Sequence, residues 1–90
     1  MSEKMLYFVG DTAPKRDDMD SIFAKTGDFL RSADLLFGQL EAVVTDKGAP
    51  ACQSRLPLRI YPSAAETLKR AGFDVMSKAG NHIMDWGYEG

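Results

Sequence analysis

Three short apolar runs, separated by longer stretches, constrain this chain more than any other feature. They are Met5-Leu6-Tyr7-Phe8-Val9, the run from Asp34 to Phe37 with an extension toward Leu40, and Phe73 to Ser77. The first is continuous in its apolarity, as strands are in sheets covered on both faces. Gly10-Asp11-Thr12-Ala13-Pro14 should break it. Lys15-Arg16-Asp17-Asp18 reads as a polar loop, and Asp17, Asp18 and Asp20 suit a helix start, where free N–H groups favour anions. The pattern then predicts a helix from Met19 to Ser32, with Ile22, Phe23, Phe29 and Leu30 on one face. Gly27 weakens its middle by about 1 kcal/mol relative to alanine. Val43 to Leu58 holds Lys47-Gly48-Ala49-Pro50 and Leu56-Pro57 and reads as a long loop. After Pro62, Ser63 and Glu66 have the spacing of a capping box. Ala64, Leu68 and Ala71 make a buried stripe, Lys69 and Arg70 suit the last turn, and Gly72 suits the position after the helix. Ile83 to Gly90 reads as a turn leading into another helix.

The order is β-loop-α-β-loop-α-β, which implies an α/β fold with parallel strands and right-handed crossovers. Three strands fall short of the usual five or six, and two helices cannot cover both faces of a parallel sheet. Residues 1–90 are therefore expected to be the N-terminal part of a larger domain.

Composition excludes several classes. At 90 residues the chain forms one domain at most. It is 44% apolar and 27% charged, as ordinary globular domains are. A net charge of −2 gives no basic field for nucleic acid. No apolar run reaches the roughly 18 residues of a membrane span. The start, Met1-Ser2-Glu3-Lys4, runs into a strand without a cleavage site, so a cytoplasmic location is the default expectation. Cys52 is alone and makes neither an intrachain disulfide nor a cysteine zinc site.

The chemistry gathers where the apolar runs end. Val9-Gly10-Asp11, Phe37-Gly38-Gln39-Leu40-Glu41 and Gly80-Asn81-His82 each put carboxylate, amide or imidazole groups after a strand, and His82 is the sole histidine. Open parallel sheets bind ligands at the carboxyl ends of their strands. These side chains suit Mn²⁺, Mg²⁺, iron or Zn²⁺. A carboxylate can bridge two such ions about 3.5–4 Å apart, the arrangement of two-metal phosphoesterases. The glycines let the chain turn so that the next side chain points at the site.

These motifs, with Asp85-Trp86-Gly87, resemble the successive motifs of the CapA family. Its members are capsule and poly-γ-glutamate synthesis proteins with a calcineurin-like metallophosphoesterase fold. Ala33 to Glu41 resembles that family's Ala-Asp-Leu-Val-Phe-Gly-Asn-Leu-Glu run, and Leu68 to Ser77 its Leu-Lys-x-Ala-Gly-Phe-Asp-Val-Val-Ser run. The similarity covers nearly the whole chain, and only the N-terminal part of the family's α/β sandwich. It implies divalent ions, two in number, with Asp11 and Asn81 as ligands and Glu41 as a bridging or second carboxylate. Gln39 stands where the family has Asn and is carried over as a metal-site amide. His82 becomes the group that contacts the scissile phosphate and protonates the leaving group. The histidine ligands that follow in the family are not among these residues, so the chain alone is expected to bind metal poorly and to lack catalysis. The implied substrate is phosphorylated or an anionic polymer.

Plainer readings stand beside these. Asp11 could cap a turn, and Glu41 could be a solvated carboxylate. Asp85 reads as holding a loop or helix start, Trp86 as packing, and Asp74 and Ser77 as structural. Arg55 and Arg59 read as solvated loop charges rather than substrate contacts. The competing function is a non-catalytic binding or assembly protein for an anionic polymer, built on a degenerate version of the same fold. A hydrolase whose Gly-Asp and Gly-Asn-His blocks serve an oxyanion hole ranks last, because Thr12, not a serine, follows Asp11.

Overall fold

A computed structural model describes residues 3–52 and 55–90; Met1, Ser2, Gln53 and Ser54 lie outside it. The three apolar runs become strands β1 (Leu6–Thr12), β2 (Leu35–Leu40) and β5 (Val75–Ser77). They form one parallel sheet in the order β1-β2-β5. β2 holds the centre, paired with both neighbours, and its Leu36 is wholly inaccessible. The α/β fold expected of a metallophosphoesterase-like N-terminal portion is thus present.

Strand β1 runs further than its apolar run. Gly10, Asp11 and Thr12 stay in the strand instead of breaking it. Asp11 and Thr12 pair with Gln39 and Leu40 of β2, which outweighs the turn preference of Gly-Asp.

The single helix expected over Met19 to Ser32 is two pieces: a 3-10 helix, Met19–Phe23, and α1, Gly27–Arg31. Gly27 opens α1 rather than weakening a helix middle. It is buried under Arg31, and a Cβ there would come 2.8 Å from the Arg31 Nη1 atom. The shared apolar face is lost with the continuous helix. Leu30 is buried, whereas Phe29 is exposed and stacks on Tyr7 with ring centroids 4.9 Å apart. Asp18 makes no side-chain cap, and Asp20 instead reaches Arg70 at 2.8 Å.

Helix α2 (Ala64–Ala71) buries Ala64, Leu68 and Ala71 as the periodicity requires, together with Thr67. The capping box is not formed. Ser63 already has helical angles, φ −59° and ψ −20°, where a capping side chain needs an extended backbone. The Ala64 and Ala65 N–H groups donate instead to the carbonyls of Tyr61 and Pro62. Gly72 does close the helix, at φ 105°.

The long stretch after β2 is not all loop. Strand β3 (Val43–Val44) pairs in parallel with β4 (Arg59–Ile60) as a small second sheet. Ala42, Ile60 and Ala64 centre an apolar cluster there, joined by Met19, Leu40, Val44 and Leu58. The core therefore sits between the small sheet and α2.

Asp74 ties β5 to the central strand. Its Oδ2 accepts the Leu36 N–H at 2.8 Å, and its own N–H donates to the Leu36 carbonyl at 3.0 Å. Asp74→Ala leaves the buried Leu36 N–H unpaired and is expected to cost about 1–3 kcal/mol. The midpoint of urea unfolding measures this; an unchanged midpoint would show the bond to be dispensable.

One face of the three-stranded sheet is open. Register places Leu6 opposite Leu35, Phe8 opposite Phe37, and Phe37 opposite Val75. On that face Leu6 is 54% exposed and Phe8 69%. The radius of gyration, 14.4 Å, exceeds the roughly 12 Å of a compact domain this long, and the described residues extend 53 × 27 × 18 Å. No described helix is long and apolar enough to cross a membrane.

Candidate functional site

The site is built around an irregularity in β1. Phe8 pairs with Phe37, but the next pair is Asp11 with Gln39. Val9 and Gly10 together thus oppose Gly38 alone, a bulge of one residue. Without it Gly10 would face Gln39. The bulge advances Asp11 into that place, as bulges beside functional sites commonly re-aim a side chain.

Asp11, Gln39 and Ser77 now form one row across the carboxyl ends of the three strands. The Thr12 hydroxyl donates to the Gln39 carbonyl at 2.8 Å, and the Glu41 N–H donates to the Thr12 carbonyl at 2.9 Å. These bonds hold the second carboxylate's backbone beside the end of β1. Glu41 is half-buried and Asp11 exposed.

Gln39 also links the row to the third motif. Its Nε2 donates to the Ala79 carbonyl at 3.1 Å. A Cβ on Gly80 would lie 3.1 Å from that same nitrogen, so the close approach favours glycine before Asn81. The longer amide, where the resembled family has Asn, therefore spends a donor on the backbone of the loop it steadies.

Beyond Gly80 the chain winds through successive turns, with N–H to carbonyl bonds from Ile83 to Gly80, Asp85 to His82 and Gly87 to Met84. The turn at His82 brings its side chain onto Asp85. The His82 Nδ1 lies 2.6 Å from Asp85 Oδ2, with the side chains only 19% and 7% exposed. The same oxygen accepts the Leu58 N–H at 2.7 Å, and the Asp85 carbonyl accepts the Ala51 N–H at 2.7 Å. Asp85 does hold a loop, and it also braces the histidine. Its spacing of three residues from His82 was the available sequence signal.

Asn81, His82 and Arg55 line one pocket of about 390 Å³. Asp11 lines a different, smaller hollow of about 230 Å³ with Ile22 and Phe23. Arg59 is set apart from Arg55: its guanidinium carbon sits 3.9 Å from the centre of the Trp86 ring, a cation–π contact. Trp86 is thereby a packing residue, and Arg55 shares a pocket with Asn81 and His82.

Oxygen donors from two carboxylates and two amides suit hard divalent ions. Among the described residues, no three His, Cys, Asp or Glu side chains converge on a point where an ion could be held.

The family model described as "Bacterial capsule synthesis protein PGA_cap" matches residues 5–90. The chain belongs to that family. Within it, the chain is similar to the "PGA biosynthesis protein CapA" of Bacillus subtilis (strain 168), with 32% identity over 72 residues, covering 79% of this chain and 19% of that protein. It is also similar to the "Uncharacterized protein y4sH" of Sinorhizobium fredii, with 34% identity over 73 residues, covering 76% of this chain and 16% of the relative. The PGA_cap chain described here thus spans less than a fifth of the length of these relatives.

Proposed function

We propose that this chain supplies part of a metal-dependent phosphoesterase-type site in a protein of capsule or poly-γ-glutamate synthesis. The observation that carries the reading is the row formed when the β1 bulge sets Asp11 opposite Gln39, with Gln39 bonded to the loop of Asn81 and His82. Asp11, Glu41, Gln39 and Asn81 would hold the divalent ions, and family resemblance puts their number at two. When bound, such ions supply charge neutralisation at a phosphoryl group and a more acidic water. The 390 Å³ pocket takes the anionic substrate, with Arg55 attracting its charge. As water adds to phosphorus and the bond to the leaving oxygen breaks, His82 in its imidazolium form hands that oxygen a proton from Nε2; the proton shed by the attacking water passes to solvent, from which the imidazole is recharged.

The test is hydrolysis of a generic phosphoester by the complete protein with added Mn²⁺. Asp11→Ala and Asn81→Ala are each expected to lower turnover at least tenfold. Unchanged activity in both variants rejects the reading.

The second reading, a non-catalytic binder of an anionic polymer, is favoured by one observation: Gln39, standing where the resembled family has Asn, has its Nε2 bonded to the Ala79 carbonyl. Calorimetry with Mn²⁺ on the complete protein separates the two. Metal uptake that Asp11→Ala abolishes supports the enzyme; no uptake, with polymer binding retained, supports the binder.

A further inference from the structure

We propose that the hollow beyond Pro14 is a second anion subsite, where Lys15 and Arg16 take a carboxylate or phosphate group of a substrate that carries several such groups in a row. The inference deepens the reading of the strand ends as a substrate site and rests on it for the substrate's direction. It makes that substrate an extended polyanion rather than a small ester, and its test needs no hydrolysis.

The hollow has a volume of about 600 Å³ and is lined by Lys15, Arg16, Asp17, Tyr61 and Ser63. Pro14 and Met19 complete the lining and fix it. Pro14 is buried, and Met19 packs against the cluster of Ala42, Ile60 and Ala64. The loop itself is tied. Arg16 Nη1 donates to the Ser21 hydroxyl at 3.2 Å, and that hydroxyl donates to the Asp18 carbonyl at 2.7 Å.

The cations of the hollow are unspent. Asp17 and Asp18 follow Arg16 directly, yet among the described residues neither Lys15 nor Arg16 forms an ion pair. Arg31 and Arg70, by contrast, each lie 2.8 Å from an aspartate oxygen. Tyr61 and Ser63 come from the entry to helix α2. Ser63 spends no side-chain bond on capping that helix, and Tyr61 is 54% exposed. An ammonium, a guanidinium and two hydroxyls supply the donors that the oxygens of a carboxylate or phosphate accept. Asp17 is the one acidic group of the lining, so the cations lead two to one.

Pro14 also lines the hollow that holds Asp11, so the two hollows adjoin. Asp11 and Lys15 are four residues apart, and their Cα atoms are at most about 14 Å from one another. One small anion cannot reach both. A flexible chain bearing anionic groups along its length can place one at the end of β1 and another beside Lys15.

The test is binding of a glutamate oligomer and of inorganic polyphosphate, each long enough to span both hollows, by the complete protein with a metal chelator present. At least one is expected to bind, and the tighter one identifies the anion. The Lys15→Ala/Arg16→Ala double variant is expected to weaken that binding about tenfold, since an exposed charge pair contributes up to about fivefold. Asp17→Asn is expected to strengthen it. Lys15 and Arg16 are exposed, so the double variant should unfold at the same temperature as the parent. Binding of neither probe, or a folded double variant with unchanged affinity, overturns the proposal. A second arm adds Mn²⁺, which should tighten the oligomer further by engaging its second group. No gain from Mn²⁺ counts against the metal site alone, and the chelated arm still decides the subsite.

Discussion

His82→Gln is expected to slow hydrolysis of an alkyl phosphoester about 10²–10⁴-fold in the complete protein, the usual contribution of a general acid. Glutamine keeps an N–H that can reach Asp85, so the buried carboxylate is not stripped of its partner, but it cannot carry a transferable proton. The leaving group gives the sharper comparison. An alkoxide needs a proton as its bond to phosphorus breaks, whereas a nitrophenolate leaves readily without one. The loss should therefore be large for the alkyl ester and small for a nitrophenyl ester. Steady-state rates with both substrates check this. Equal losses would mean that His82 binds the phosphoryl group without donating to the leaving oxygen.

Leu36→Ala is expected to be the most damaging single change to the fold. Leu36 sits in the middle of the central strand, with no accessible surface. Removing its side chain loses transfer energy and leaves a cavity, together about 2–5 kcal/mol. A domain of this size is stable by only about 5–15 kcal/mol. At roughly 4–8 °C for each kcal/mol, a loss of about 3 kcal/mol lowers Tm by about 12–24 °C. Thermal unfolding followed by circular dichroism measures it. Phe8→Ala is the control. It removes a larger side chain from the neighbouring strand, but Phe8 is 69% exposed, so the expected shift is far smaller. Equal shifts would mean that the open face of the sheet is covered in solution.

The same contrast between Leu36 and Phe8 shows where sequence reading ends. Both belong to continuous apolar runs, and the runs alone imply cover on both faces. Two helices already fall short of that cover, and the packing shows which face stays open, the one carrying Leu6 and Phe8. The helices failed for a related reason. Ile22, Phe23, Phe29 and Leu30 keep helical spacing, but the chain leaves the helix after Phe23 and resumes it only at Gly27, so the four do not share one face. Ser63 and Glu66 have capping-box spacing, yet the backbone at Ser63 is already helical, so the side chain has no orphan N–H within reach of its cap geometry.

What the sequence determined by itself is the set of three strands, their parallel order, the buried stripe of α2, and the polar groups waiting at the strand ends. Those features depend on local periodicity and on which residues follow each apolar run, and both are written in neighbouring positions. The family was legible for the same reason, since its motifs are contiguous. The tertiary structure alone decided how the motifs meet. The bulge that sets Asp11 opposite Gln39 exists only as a mismatch between two strands far apart in sequence. The bonds from Gln39 to Ala79 and from the Leu58 N–H to Asp85 are likewise long-range choices. Hydrogen bonds across such separations are set by register and burial, which no single stretch of chain encodes.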